Sequence, residues 1–150
     1  MMRTNRTEIG LALATALLVA LPVPILAQEG AADAAPSIGV EVNSTLQLEG
    51  ACQLTFMLTN GFDADVESLV FETVLLTKEG GVDRLTLFDM RDLPSGTPRV
   101  RQFNVPSLTC DDLGQVLINA VAKCSGEGLE TATCLDALDY SSRIDVEILG

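Results

Sequence analysis

Ser68–Met90 reads SLVFETVLLTKEGGVDRLTLFDM, and this stretch decides the fold. Its first run is rich in β-branched and aromatic residues, which fit a pleated, half-buried surface. Glu79-Gly80-Gly81 then supplies a turn into a second run. Two such runs around a glycine turn predict a hairpin of Leu69–Lys78 with Val82–Met90.

The neighbouring sequence reads the same way. Val40, Val42, Leu46 and Leu48 share one parity, with Glu41, Gln47 and Glu49 on the other. Cys52, Leu54, Phe56 and Leu58 alternate with Gln53, Thr55 and Thr59. A period of two marks a sheet with one buried face. Asn60-Gly61 opens a turn, because both residues accept positive φ. After the hairpin, LPSGTP breaks the chain and RVRQFNV makes a short strand that Pro106 ends, since proline cannot donate to a ladder. GQVLINAVAK and RIDVEIL complete the strands. Between these two, Leu129, Ala132, Leu135 and Leu138 recur at intervals of three, a helical stripe. We expect a short helix there, tied down by Cys134, with Asp136 and Asp139 facing water. The fold these signals describe is all-β. It is an immunoglobulin-like antiparallel β-sandwich of about seven strands with one short helix before the last strand, stapled by disulfides. A small antiparallel barrel is the second choice. The chain has no tryptophan, so the core pin of antibody domains is absent.

Arg3 and Arg6, an apolar segment from Ile9 to Leu26, and the small residue Ala27 have the order of a bacterial-type secretory signal peptide. A retained membrane anchor is the rival reading, but Pro22 and Pro24 break the segment where an anchor would continue. The arginines are not adjacent, so a twin-arginine signal is not indicated, and no cysteine near Ala27 suggests a lipoprotein. We therefore expect a signal peptide at 1–27, a flexible leader at 28–37 and one β-sandwich domain at 38–150, periplasmic or secreted. No membrane span is expected after cleavage. Loss of Arg3, Arg6 and Glu8 makes the mature chain about one unit more acidic than the −12 of the whole. Nucleic acid is excluded as a partner, because it demands clustered Lys and Arg. Acidity on this scale keeps an exported protein soluble.

Cys52, Cys110, Cys124 and Cys134 all lie in the expected domain. An even count in an exported chain predicts disulfides. Zinc is disfavoured, for the chain has no histidine and no Cys-x-x-Cys. Three pairings are open, and Cys52–Cys110 with Cys124–Cys134 is preferred because the second would close the loop SGEGLETAT. In the chain-entropy account the two loops contribute about 4 and about 3 kcal/mol.

From Asn60 to Pro106 the chain resembles the extracellular immunoglobulin-like domains named FxxLYD. The matching positions are Asn60, Phe71, Leu75, Gly80, Leu93, Gly96 and Phe103, an asparagine turn, a glycine hairpin, a Leu–Pro–Gly turn and a phenylalanine strand. Leu76 and Thr77 stand where those domains have tyrosine and aspartate. The resemblance implies an exported sandwich with a structural or adhesive role and carries over no catalytic residue.

Chemistry is sparse. Without histidine there is no Ser-His-Asp or Cys-His arrangement and no histidine-held metal. Glu79-Gly80-Gly81 has neither the lysine nor the helix of a phosphate loop. Asp63 with Asp65 and Asp111 with Asp112 are the closest carboxylate pairs, but aspartate is common in turns for its bonds to backbone amides. The segment FDADVES lacks the full calcium-loop spacing. The Asn43 sequon is incidental in a bacterial chain. We expect no cofactor and no enzyme. The candidate partner surface is Arg84, Arg91, Arg99 and Arg101, which flank the DLPSGTP turn and would pair with the carboxylates of an envelope protein. The simpler account is that they guard a sheet edge against aggregation. A small-ligand or calcium binder using the acidic loops is the alternative function.

Overall fold

A computed structural model describes residues 35–150 of the chain. The expected signal peptide and residues 28–34 of the leader lie outside the described residues. The rest forms eight strands: β1 Ile38–Leu48, β2 Ala51–Asn60, β3 Val66–Thr77, β4 Val82–Leu93, β5 Arg99–Pro106, β6 Leu113–Gly126, β7 Leu138–Ser142 and β8 Glu147–Leu149. One sheet runs β5-β2-β1-β7 and the other β4-β3-β6-β8. We call them sheets A and B. Their inner faces share one core, in which Phe56 of sheet A meets Phe88 of sheet B at 5.6 Å and Phe103 stacks on Phe88 at 4.4 Å. This is an all-β, immunoglobulin-like sandwich. Most ladders are antiparallel, but β7 pairs parallel to β1 and β8 parallel to β6.

Hairpins lie where the turns predict them. Gly50 takes φ 73° between β1 and β2, a conformation free only to glycine, and β3 returns as β4 through the EGG turn. The crossing loops 61–65 and 94–98 are bonded to each other through Asn60. Its side-chain amide donates to the carbonyls of Ala64 and Leu93, its side-chain oxygen accepts from the Phe62 N–H, and its backbone carbonyl accepts from the Gly96 N–H. Asn60 is 2% exposed, so those bonds replace the water it gives up.

The cysteines pair as Cys52–Cys110 and Cys124–Cys134. The first ties β2 to the 3₁₀ turn Cys110–Asp112, and the second ties β6 to α1, Thr131–Asp136.

Three sequence readings are corrected in detail. Register slips between Val42 and Ser44, so one residue bulges and the parity of β1 inverts. Leu46, expected inside, is 56% exposed. RIDVEIL contributes a strand only at Glu147–Leu149, and the unforeseen β7 takes Leu138 out of the helical stripe. In α1 the buried residue is Cys134, while Ala132 and Leu135 are exposed, because the disulfide decides which side of so short a helix faces the sheet.

Candidate functional site

The arginines of the expected partner surface occupy the side of the sandwich where β4 and β5, the edge strands of the two sheets, run close. Arg99 and Arg101 stand in register with Leu58 and Phe56, so they point inward. Arg101 reaches across to sheet B, where its guanidinium donates to the backbone carbonyls of Met90 at 2.8 Å and Asp92 at 3.0 Å. Arg99 lies 4.0 Å from the Asp92 carboxylate. From the other side Arg84 donates to the Pro106 carbonyl at 2.8 Å and pairs with Asp83 at 2.6 Å. Three of the four arginines thus clasp the open edge, and only Arg91 makes no ion pair among the described residues. Arg91 is exposed and has φ 59°, held by its N–H donating to Asp89 Oδ1.

In the acidic turns, one carboxylate of the four is hydrogen-bonded within the described residues. Asp65 Oδ1 accepts from the Ser95 N–H at 2.8 Å, and Ser95 Oγ donates to the Phe62 carbonyl. Asp111 and Asp112 sit in the 3₁₀ turn, where the Asp112 carbonyl accepts from Lys78 N–H. Among the described residues no three Cys, Asp or Glu side chains come together as a metal would need. An open cleft of about 440 Å³ is lined by Lys78, Gln115, Asp145 and Glu147 together with Ile144 and Val146. Ligand pockets of that size are ordinarily apolar with a few polar groups, whereas this one is of mixed lining.

Two carboxyl and phenol environments stand out. On sheet A the Asn43 amide, and after it Arg143, hydrogen-bond Glu41 and hold its carboxyl below the usual 4.5. Burial pushes the Tyr140 phenol above its usual 10.0.

A surface that the sequence reading missed lies on the outer face of sheet B. Register brings Leu85, Val74, Leu117 and Leu149 into one row across all four strands. On one side of it Val82 stands opposite Leu76, and on the other Leu87 shares a row with Glu72 and Ala120. Val82 is 69%, Leu85 58% and Leu87 59% exposed, and Leu76, Val74, Leu117 and Leu149 are half-buried. Glu72, which accepts from Asn119, interrupts the band between Leu87 and Ala120, and Glu147, Asp89 and Lys123 bound it. The signal was present in the opening stretch. On β4, Leu85 and Leu87 carry one parity while Phe88 and Met90 carry the other, so both faces are apolar. Soluble chains rarely leave such bands uncovered, and the largest often serve binding.

No protein-family model matches the chain, and no curated protein matches it. A solved structure of IrmA from Escherichia coli is similar to it, with a TM-score of 0.54 and 15% sequence identity. The alignment covers 70% of this chain and 91% of that one. At that identity the likeness is one of fold. Among the described residues no helix is long and apolar enough to cross a membrane.

Proposed function

We propose that this chain is an exported, non-catalytic interaction module of the periplasm or cell exterior, and that it works by presenting the outer face of sheet B. The observation that carries this reading is the four-strand apolar band of Leu85, Val74, Leu117 and Leu149. Burying exposed apolar surface contributes about 25 cal/mol per Å², which makes such a face the natural seat of a protein contact. Two disulfides suit an oxidising compartment. The resemblance to FxxLYD domains points to the same structural or adhesive role. Since Arg84, Arg99 and Arg101 are engaged in closing the sandwich, Arg91 is the arginine we assign to meeting a partner's carboxylate.

The test is crosslinking and affinity capture of the tagged mature chain in its native envelope, run beside Leu87→Glu and Arg91→Glu variants. A protein recovered in near-equal amount with wild type and lost with Leu87→Glu supports the reading. Equal recovery with Leu87→Glu refutes the assignment of the face. Reversing Arg99 and Arg101 together is a poorer probe, because it opens the edge of the fold as well.

A further inference from the structure

We infer that the occupant of sheet B's outer face is a second copy of this chain, packed face to face about a two-fold axis that runs along the strands between β3 and β6. This rests on the assignment of that face as a contact surface and names what covers it.

Size is the first argument. β3 and β4 have 12 residues each, β6 has 14 and β8 has 3. At about 3.3 Å per residue and about 4.8 Å between strands, the face has a flat footprint of roughly 600 Å². A standard interface removes about 800 Å² of accessible surface from each partner, and a side-chain surface carries more accessible area than its flat outline. A two-fold between β3 and β6 covers those two strands along their length and meets β4 only with the three residues of β8, a flat overlap of roughly 500 Å² whose side-chain relief brings it toward the standard area, with the two sheets about 10 Å apart as in any sandwich.

Charge is the second. A two-fold axis along the strands keeps each row opposite itself and exchanges β3 with β6 and β4 with β8. The row of Leu85, Val74, Leu117 and Leu149 then covers its own copy. Lys123 shares a row with Val70 and Asp89, so in the dimer it falls over the copy's Val70, beside Asp89 and one row from Glu72. The cation of this face thus meets its anions across the interface. Glu147 lies on the edge strand β8, where it keeps access to water.

Edge-to-edge pairing of β4 with its copy is the competing geometry. It would leave the band exposed, and centred on Thr86 it would set Asp83 opposite Asp89, a like-charge pair on each side of the axis.

The experiment is sedimentation equilibrium of the mature, disulfide-bonded chain from about 1 µM to about 1 mM, the range from tight to very weak association. Wild type is expected at twice the monomer mass, and Leu117→Glu at the monomer mass with an unchanged circular-dichroism spectrum. Should Leu117→Glu misfold, Leu85→Glu at the more exposed end of the same row gives the same reading. Lys123→Glu is expected to weaken the dimer about tenfold, and Lys123→Glu with Glu72→Lys to recover most of that loss. A wild-type chain that stays monomeric across the range overturns the proposal, as does a dimer indifferent to both leucine variants. A monomer that still captures a different protein through Leu87 would refute the second copy and leave the proposed function standing.

Discussion

Sheet A and sheet B contribute matching inner faces to one core, yet they meet water in opposite ways. On the outside of sheet A, Gln53 donates to Asn104 Oδ1 at 2.9 Å and Gln102 donates to Thr55 Oγ1 at 3.2 Å, ladders of polar side chains along the pleat. Its exposed apolar residues, Leu46 and Val100, are separated by these rows and do not meet. On sheet B the row of Leu85, Val74, Leu117 and Leu149 is apolar across all four strands, although Gln115 donates to Glu147 in the row on one side and Asn119 donates to Glu72 on the other. A sheet that is polar on its outer side is finished as a monomer. One that is apolar on both sides asks for a cover. The proposed function therefore rests on a face, whereas the charged residues first drew attention to an edge.

The sharpest way to break this comparison is to ask whether sheet B's outer face bears on folding. Phe71 on its inner side is fully buried, and Phe71→Ala should cost about 3–5 kcal/mol in urea unfolding. Leu85→Ser on the outer side should fall within about 0.5 kcal/mol when measured at a concentration where the chain is monomeric. A large loss for Leu85→Ser would mean that the outer band stabilises the monomer itself and is no free surface. Next in size is the clasp that joins the sheets at their open edge. The side chain of Arg101 is 16% exposed and its guanidinium serves two backbone carbonyls of β4. Arg101→Met keeps the stem and removes those charged bonds, so about 2 kcal/mol should be lost. An unchanged midpoint would return Arg101 to the candidate partner surface.

Most of the sandwich was legible because its signals are local. The EGG hairpin, the alternation of β2 and the proline at the end of β5 each follow from a few adjacent residues, and the structure has all three. What escaped depends on contacts far apart in the chain. Nothing within VEVNSTLQL announces that one residue will bulge, yet that slip exposes Leu46 and turns Gln47 toward Cys110, whose N–H its side chain accepts. β7 is five residues, LDYSS, with no apolar run, and it exists because β1 offers a parallel edge about a hundred positions earlier. The apolar band had the same obstacle. Each strand's two-sided apolarity was visible, but only the register across β4, β3, β6 and β8 shows that the exposed residues are neighbours. The arginines misled for a related reason. Their clustering in sequence is real, and which way each one points was fixed by pairing, of β5 with β2 and of β4 with β3.

A smaller effect should run in the favourable direction. Thr73 is fully buried on β3, in register with Thr86 and Ile118, and its hydroxyl has no hydrogen-bond partner. A buried donor left unmade costs about 1–3 kcal/mol, and valine has the same shape without the hydroxyl. Thr73→Val should therefore raise Tm by roughly 4 °C for each kcal/mol gained. A fall in Tm would show that the hydroxyl finds a partner in solution, and that sheet B's inner face holds a polar contact.

The smallest expected effect tests whether sheet A's polar face is tuned or merely wet. Glu41 accepts from Asn43 Nδ2 at 2.8 Å and from Arg143 Nε at 2.7 Å, and both bonds favour its charged form. A carboxyl with a depressed native pKa contributes stability that is present above its unfolded value and lost as pH falls through the folded one. Unfolding of wild type and Asn43→Ala should differ at neutral pH. The gap should begin to close as pH drops past the ordinary carboxyl value of 4.5 and vanish at lower pH, with Arg143→Gln showing a gap of the same form. The Asn43 hydrogen bond is the largest single cause of the lowered value, and Arg143, from the loop after β7, acts both by its hydrogen bond and by its charge. A gap that stays constant through the acid range would tie the loss to the bulge geometry at Asn43, and the polar order of sheet A would then serve solubility alone.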